Sequence, residues 1–96
     1  MQTILGAGGV IGNELAKSLM IYTDQIRLVS RNPKAINHND ELFAADLLDP
    51  KAVQAALKGT SIAYLTAGLP YSTKVWQEKW PLLMRNVIDA CKENNC

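Results

Sequence analysis

The stretch Gly6-Ala7-Gly8-Gly9-Val10-Ile11-Gly12 decides how this chain folds. Just before it, residues 2–5 form a short apolar run that stops at Gly6. Just after it, Ile11, Leu15 and Leu19 recur every fourth residue, with Val10 and Met20 flanking. That is one apolar stripe on a helix of about three turns. A strand, a Gly-rich turn and an amphipathic helix, in that order, suit the pyrophosphate of a dinucleotide such as NAD(P). The chain must turn sharply off the strand, the backbone must approach the phosphates, and the helix must pack closely on the strand below. Gly6, Gly9 and Gly12, spaced GxxGxxG, fill those roles. Gly8, Val10 and Ile11 share the turn, where the first N–H groups of the helix and its dipole favour an anion. The stricter GxGxxG spacing fails at Ile11. The competing reading is a plain strand–helix turn with no ligand; the strand before and helix after favour the dinucleotide.

Three further apolar runs follow, at residues 26–30, 42–45 and 61–66, each bounded by turn residues, as expected of buried strands. Asp49-Pro50 reads as an N-cap with Pro at the first helical position. Val53, Ala56 and Leu57 then face inward, and Gly59 is placed to end that helix. A long pattern of Trp76, Trp80, Leu83, Met84, Val87, Ile88 and Cys91 predicts a final helix. Pro81 either kinks it or starts a second helix there. Residues 31–41 form a loop or a single turn. Alternating strands and helices predict an α/β fold of parallel strands joined by right-handed crossovers, in one domain over residues 1–96.

The strand ends carry the remaining candidates. NAD-preferring sites place a carboxylate after the second strand to hold the ribose hydroxyls. Here Ser30-Arg31 stands in its place. The planar fork of Arg31 pairs well with a 2′-phosphate, and Ser30 can donate to it, so NADP is favoured over NAD. The alternative for Arg31 is a solvated side chain in a polar turn. Asp46, followed by Leu47, either accepts a hydrogen bond from the adenine amino group or caps the next helix; Asp49 is better placed to cap. Thr66-Ala67-Gly68 either lets the nicotinamide half pass or is a plain Gly turn.

Composition limits the partners. The chain has 96 residues and a net charge of +1 with both signs interspersed, which gives no reason to expect nucleic acid or an anionic membrane. No window is apolar enough for a membrane span, and we expect no signal peptide. Cys91 and Cys96, five residues apart, would not share a helix face, which argues against a disulfide and for reduced thiols in a cytoplasmic protein. His38, the single histidine, lies in the polar Asn37-His38-Asn39-Asp40 without zinc-ligand spacing around it, so no metal is expected. Trp76 and Trp80 read as packing or interface residues, and Asp89 and Glu93 as solvated.

Gly6 to Gly12, Ser30-Arg31-Asn32-Pro33, Ala45-Asp46-Leu47 and Thr66-Ala67-Gly68 together resemble the N-terminal half of the short-chain dehydrogenase/reductase superfamily. More narrowly, the chain resembles its extended or atypical branch, with NAD-dependent epimerase/dehydratases, related reductases and NmrA-like proteins. The resemblance implies a Rossmann sheet of strand order 3-2-1-4 with flanking helices, incomplete at its C-terminal side, and NADP(H) lying across the strand ends. It implies that Arg31 reads the 2′-phosphate and that Asp46 and Leu47 flank adenine. Arg85-Asn86-Val87-Ile88-Asp89-Ala90 resembles the long helix after strand four, which in that branch contributes to a homodimer interface. The catalytic Tyr-x-x-x-Lys pair of the family is absent: Tyr71-Ser72-Thr73-Lys74 is one residue short. No catalytic residue is therefore assigned, and the chain is expected to be the N-terminal fragment of a longer protein. Three functions compete: the NADP(H)-binding portion of an oxidoreductase or epimerase acting on a small carbonyl, hydroxyl or sugar-nucleotide substrate; an NmrA-like redox sensor that holds dinucleotide without turnover; and an interaction domain with an empty pocket.

Overall fold

In a computed structural model, which describes residues 1–6, 10–23, 25–66 and 73–96, four parallel strands form one sheet. They are β1 (Gln2–Leu5), β2 (Ile26–Ser30), β3 (Glu41–Ala44) and β4 (Ile62–Leu65), in the order β3-β2-β1-β4. The helices are α1 (Val10–Leu19), α2 (Pro50–Ala56) and α3 (Thr73–Asn94). The parallel strands are those predicted by the strand–helix alternation, and their order is the Rossmann order implied by the resemblance, with β3 and β4 each shifted slightly from the apolar runs that marked them.

Side chains along each strand alternate between two cores, as the period of two requires. Ile4, Ile26 and Leu28 pack with Ala16 and Leu19 of α1. Leu5 and Val29 pack on the opposite side with Val53, Ala56 and Leu57 at α2 and Leu83, Val87 and Ala90 of α3. Both faces of the two inner strands, β1 and β2, are thus covered, which explains why these strands read as apolar runs.

The α1 stripe needs correction. Ile11 is 74% exposed and Met20 is 40% exposed. The buried line is Gly12, Ala16 and Leu19, with Leu15 half-buried beside it. Steps of four residues drift by about 40° each on a helix of 3.6 residues per turn, so a strict series of such steps leaves the core at one end.

Around α2 the sequence reading holds. Asp49 Oδ1 accepts from the backbone N–H of Lys51 (3.1 Å) and Ala52 (3.4 Å), Pro50 opens the helix, and Gly59 takes a φ of 77° just past its end. At the end of the sheet away from the candidate site, Arg27 locks β2 to this helix. Its Nη1 donates to the carbonyls of Ala56 (2.6 Å) and Lys58 (2.9 Å), and its Nε lies 3.3 Å from Glu41 on β3. A cation at the C-terminal carbonyls of a helix offsets their partial negative charge.

One helix, α3, runs through Pro81, so no second helix starts there. Pro81 removes an intrahelical donor, a cost of about 3 kcal/mol that the packing of Leu83, Val87 and Ala90 offsets. Ile88, expected on the apolar stripe, is 47% exposed; buried Asn86 takes part in the inner face instead. Residues 31–40 carry no helix. That loop is pinned by Asn37, whose Nδ2 donates to the Ala16 carbonyl (2.8 Å), and by Asp40 Oδ2, which accepts from the N–H of Ile36 (3.0 Å) and Asn37 (2.6 Å).

The cysteines also depart from expectation. Asn95 adopts a φ of 60°, and the Cys96 N–H donates to the Cys91 carbonyl at 2.9 Å. The chain turns back on itself beyond the helix, so the two thiols meet although helix geometry alone separates them. Both are free. Burial, then the hydrogen bond to Cys96 and its charge, push the Cys91 thiol up to about 11. Among the described residues no helix is long and apolar enough to cross a membrane.

Candidate functional site

Parallel strands all present their C-terminal ends to the same edge, and open α/β sheets bind ligands at such an edge. Here backbone bonds carry the pairing one step past the strands. Gly6 N–H donates to the Val29 carbonyl (2.8 Å), Thr66 N–H to Leu5 (2.9 Å) and Ala45 N–H to Ser30 (2.9 Å). Gly6, Ser30, Thr66 and the residues after Ala45 therefore lie along one line, brought together from four separate parts of the sequence.

Gly6 leaves β1 with a φ of 83°, a conformation that strains any residue bearing a Cβ. This is the sharp turn that the first glycine was expected to make. Gly12 is buried on the side of α1 that carries Ala16, so the helix lies close over the strands. Ile11, on the first turn of α1, is exposed beside the edge. The backbone of Val10 begins the helix. Gly8, Gly9, Ala67 and Gly68, also expected at the site, lie outside the described residues.

After β2, Ser30 is half-buried and Arg31 is exposed. Arg31 has no hydrogen bond or ion pair among the described residues. Thr66 behaves differently. Its Oγ1 donates toward the carbonyls of Leu5 (3.3 Å) and Gly6 (3.4 Å), closing the turn rather than reaching outward.

The segment after β3 resolves the question of which aspartate caps. Asp49 caps α2. Asp46 is exposed, and its Oδ1 accepts from the Leu48 N–H at 3.0 Å. Its Oδ2 accepts nothing from the described residues. The Leu47 side chain is buried at 8% exposure in the core, so only the backbone of Leu47 is available to a ligand. Its carbonyl accepts from buried Asn86 Nδ2 at 3.0 Å, while its N–H meets no described partner. The Asp46–Leu47 pair thus offers an acceptor and a donor side by side. That pattern complements the amino N–H and ring N1 of adenine; guanine presents the reverse.

Asn86 was missed as a site residue by sequence reasoning. Its signal was present: a polar amide among the apolar positions of α3, three residues from Leu83 and beside Val87. Among the described residues no cluster of His, Cys, Asp or Glu could hold a metal, and His38 is exposed in the pinned loop.

Comparisons with known proteins agree with this geometry. The profile of a family described as NAD(P)H-binding matches residues 6–96. Uronate dehydrogenase from Agrobacterium tumefaciens superposes with a TM-score of 0.84 at 21% identity, over 98% of this chain and 36% of that one. A mutant of that enzyme is known in complex with NAD. A Rossmann-fold NAD(P)-binding family protein from Shigella flexneri gives a TM-score of 0.80 at 25% identity, covering 98% and 46%. An NADPH-dependent quinone oxidoreductase from Escherichia coli gives 0.72 at 29% identity, covering 99% and 32%. The chain spans about a third of the length of the uronate dehydrogenase, 36%. No curated protein matches the chain.

Proposed function

The chain belongs to the NAD(P)H-binding family, and from that premise we propose that residues 1–96 are the NADP(H)-holding part of a short-chain dehydrogenase/reductase of the extended or atypical branch. The whole protein would act on a small carbonyl, hydroxyl or sugar-nucleotide substrate, in the cytoplasm. The observation that carries this reading is the edge itself: a left-handed turn at Gly6 before a helix N-terminus, an exposed Arg31, and the donor–acceptor pair at Asp46 and Leu47.

In this reading the first turn of α1, with Gly6, Gly8, Gly9, Val10, Ile11 and Gly12, holds the pyrophosphate. Ser30 and Arg31 hold the 2′-phosphate, and Asp46 Oδ2 with the Leu47 N–H holds adenine. Thr66, Ala67 and Gly68 flank the nicotinamide half. The cofactor, when bound, supplies hydride transfer; this part of the chain supplies its orientation. One neighbour is described as NADPH-dependent and another is complexed with NAD, so the choice of NADP rests on Ser30 and Arg31 of this chain. We place a homodimer contact on α3, where Leu82 and Ile88 are exposed.

The test is a titration of the purified chain with NADPH and NADH. NADPH is expected to bind more tightly. Arg31→Ala should weaken NADPH about ten- to hundredfold, the loss of a charge-assisted phosphate contact, and leave NADH unchanged. Equal binding of both cofactors by the unaltered chain would remove the role given to Arg31 and keep the dinucleotide.

A further inference from the structure

The peptide unit between Leu47 and Leu48 is held at both ends. Its carbonyl accepts from Asn86 Nδ2 at 3.0 Å, and its N–H donates to Asp46 Oδ1 at 3.0 Å. Asn86 is only 5% exposed and sits on α3 among Leu83, Val87 and Ala90. Its amide comes from 39 residues along the chain to reach this loop. Asp46 cannot turn its carboxylate without giving up the Leu48 N–H, and that N–H cannot turn while the carbonyl of the same peptide is fixed.

We propose that Asn86 is a positioning residue for nucleobase choice: by fixing the Leu47–Leu48 peptide it aims Asp46 Oδ2 and the Leu47 N–H so that the edge accepts adenine and rejects guanine. The inference rests on the placement of adenine at Asp46 and Leu47 given above. It adds the source of that edge's direction, a buried amide on a helix that takes no part in the site by itself. A buried amide bonded to a main-chain carbonyl in a dry core holds its geometry tightly, because releasing it leaves a buried polar group unsatisfied.

The experiment compares ADP and GDP binding to the unaltered chain, to Asn86→Leu and to Asn86→Gln. Leu keeps the branched heavy-atom skeleton of Asn, though with bulkier methyl groups, and removes the donor; Gln keeps an amide. The unaltered chain should prefer ADP. Asn86→Leu should weaken ADP about five- to tenfold, the loss of one hydrogen bond's worth of aim, with GDP unchanged, so that the ratio falls. Asn86→Gln should recover part of the ratio. A ratio unchanged in Asn86→Leu, with both nucleotides weakened alike or neither, would overturn the proposal and leave Asn86 a packing residue. No preference for ADP in the unaltered chain would instead overturn the adenine placement, and this proposal with it. Should Asn86→Leu fail to fold, NMR of the unaltered chain decides. ADP should shift the Asn86 side-chain amide and the Leu48 N–H more than GDP does, and equal shifts would overturn the proposal.

Discussion

The two faces of the sheet are covered unequally. On one side α2 and α3 together bury Leu5, Val29, Leu57 and Val87. On the other, α1 is the one helix among the described residues that covers Ile4 and Leu28, with Ile36 of the loop after β2 packed beside it. Leu42 is in register with Leu28 on that second face but is 45% exposed, and Ile62, two residues before Tyr64, is 46% exposed. A helix is about 10 Å wide, whereas four strands at about 4.8 Å spacing are nearly twice that. The difference teaches where stability and binding reside. The two-helix face holds the fold together, while the one-helix face contributes the helix whose first turn meets the ligand.

Substitutions can break or sharpen that contrast. Leu57→Ala, at a fully buried position on the two-helix face, should cost about 2–5 kcal/mol in denaturant unfolding. A loss under 1 kcal/mol would mean that α2 is not part of the cooperative core. Asp49→Ala removes the α2 cap and should cost about 1 kcal/mol by the same measurement; no change would show that packing alone holds the helix start. Leu42→Ser, on the thinly covered face, should move stability by no more than about 0.5 kcal/mol. It should also raise the concentration at which the chain stays monomeric by light scattering, since it removes apolar surface near an edge strand. A loss as large as that of Leu57→Ala would erase the contrast.

Much of this was legible in residue order. The turn at Gly6, the Asp49-Pro50 helix start and the inward set of Val53, Ala56 and Leu57 are local, and local rules determine them. What was not legible depends on contacts between distant segments. The exposure of Ile11 follows from the angle at which α1 crosses the strands. Asn86 reads as one polar residue in an apolar helix until the Leu47 carbonyl arrives beside it. The meeting of Cys91 with Cys96 depends on the reversal at Asn95, which no spacing rule for helices contains. Arg27 is a charge within the run at residues 26–30, and its partners Ala56 and Lys58 lie about thirty residues away.

The strand order has a consequence in time. Of these four strands β1 leaves the ribosome before the others, yet it pairs with β2, beginning at Ile26, and with β4, beginning at Ile62. At a synthesis rate of about 5–20 residues per second, its second neighbour is completed about 3–12 s after β1 itself. Until then Ile4 and Leu5, both fully buried in the finished fold, belong to a strand with one side still unpaired. Of the two inner strands, the one made first is the later to gain both neighbours.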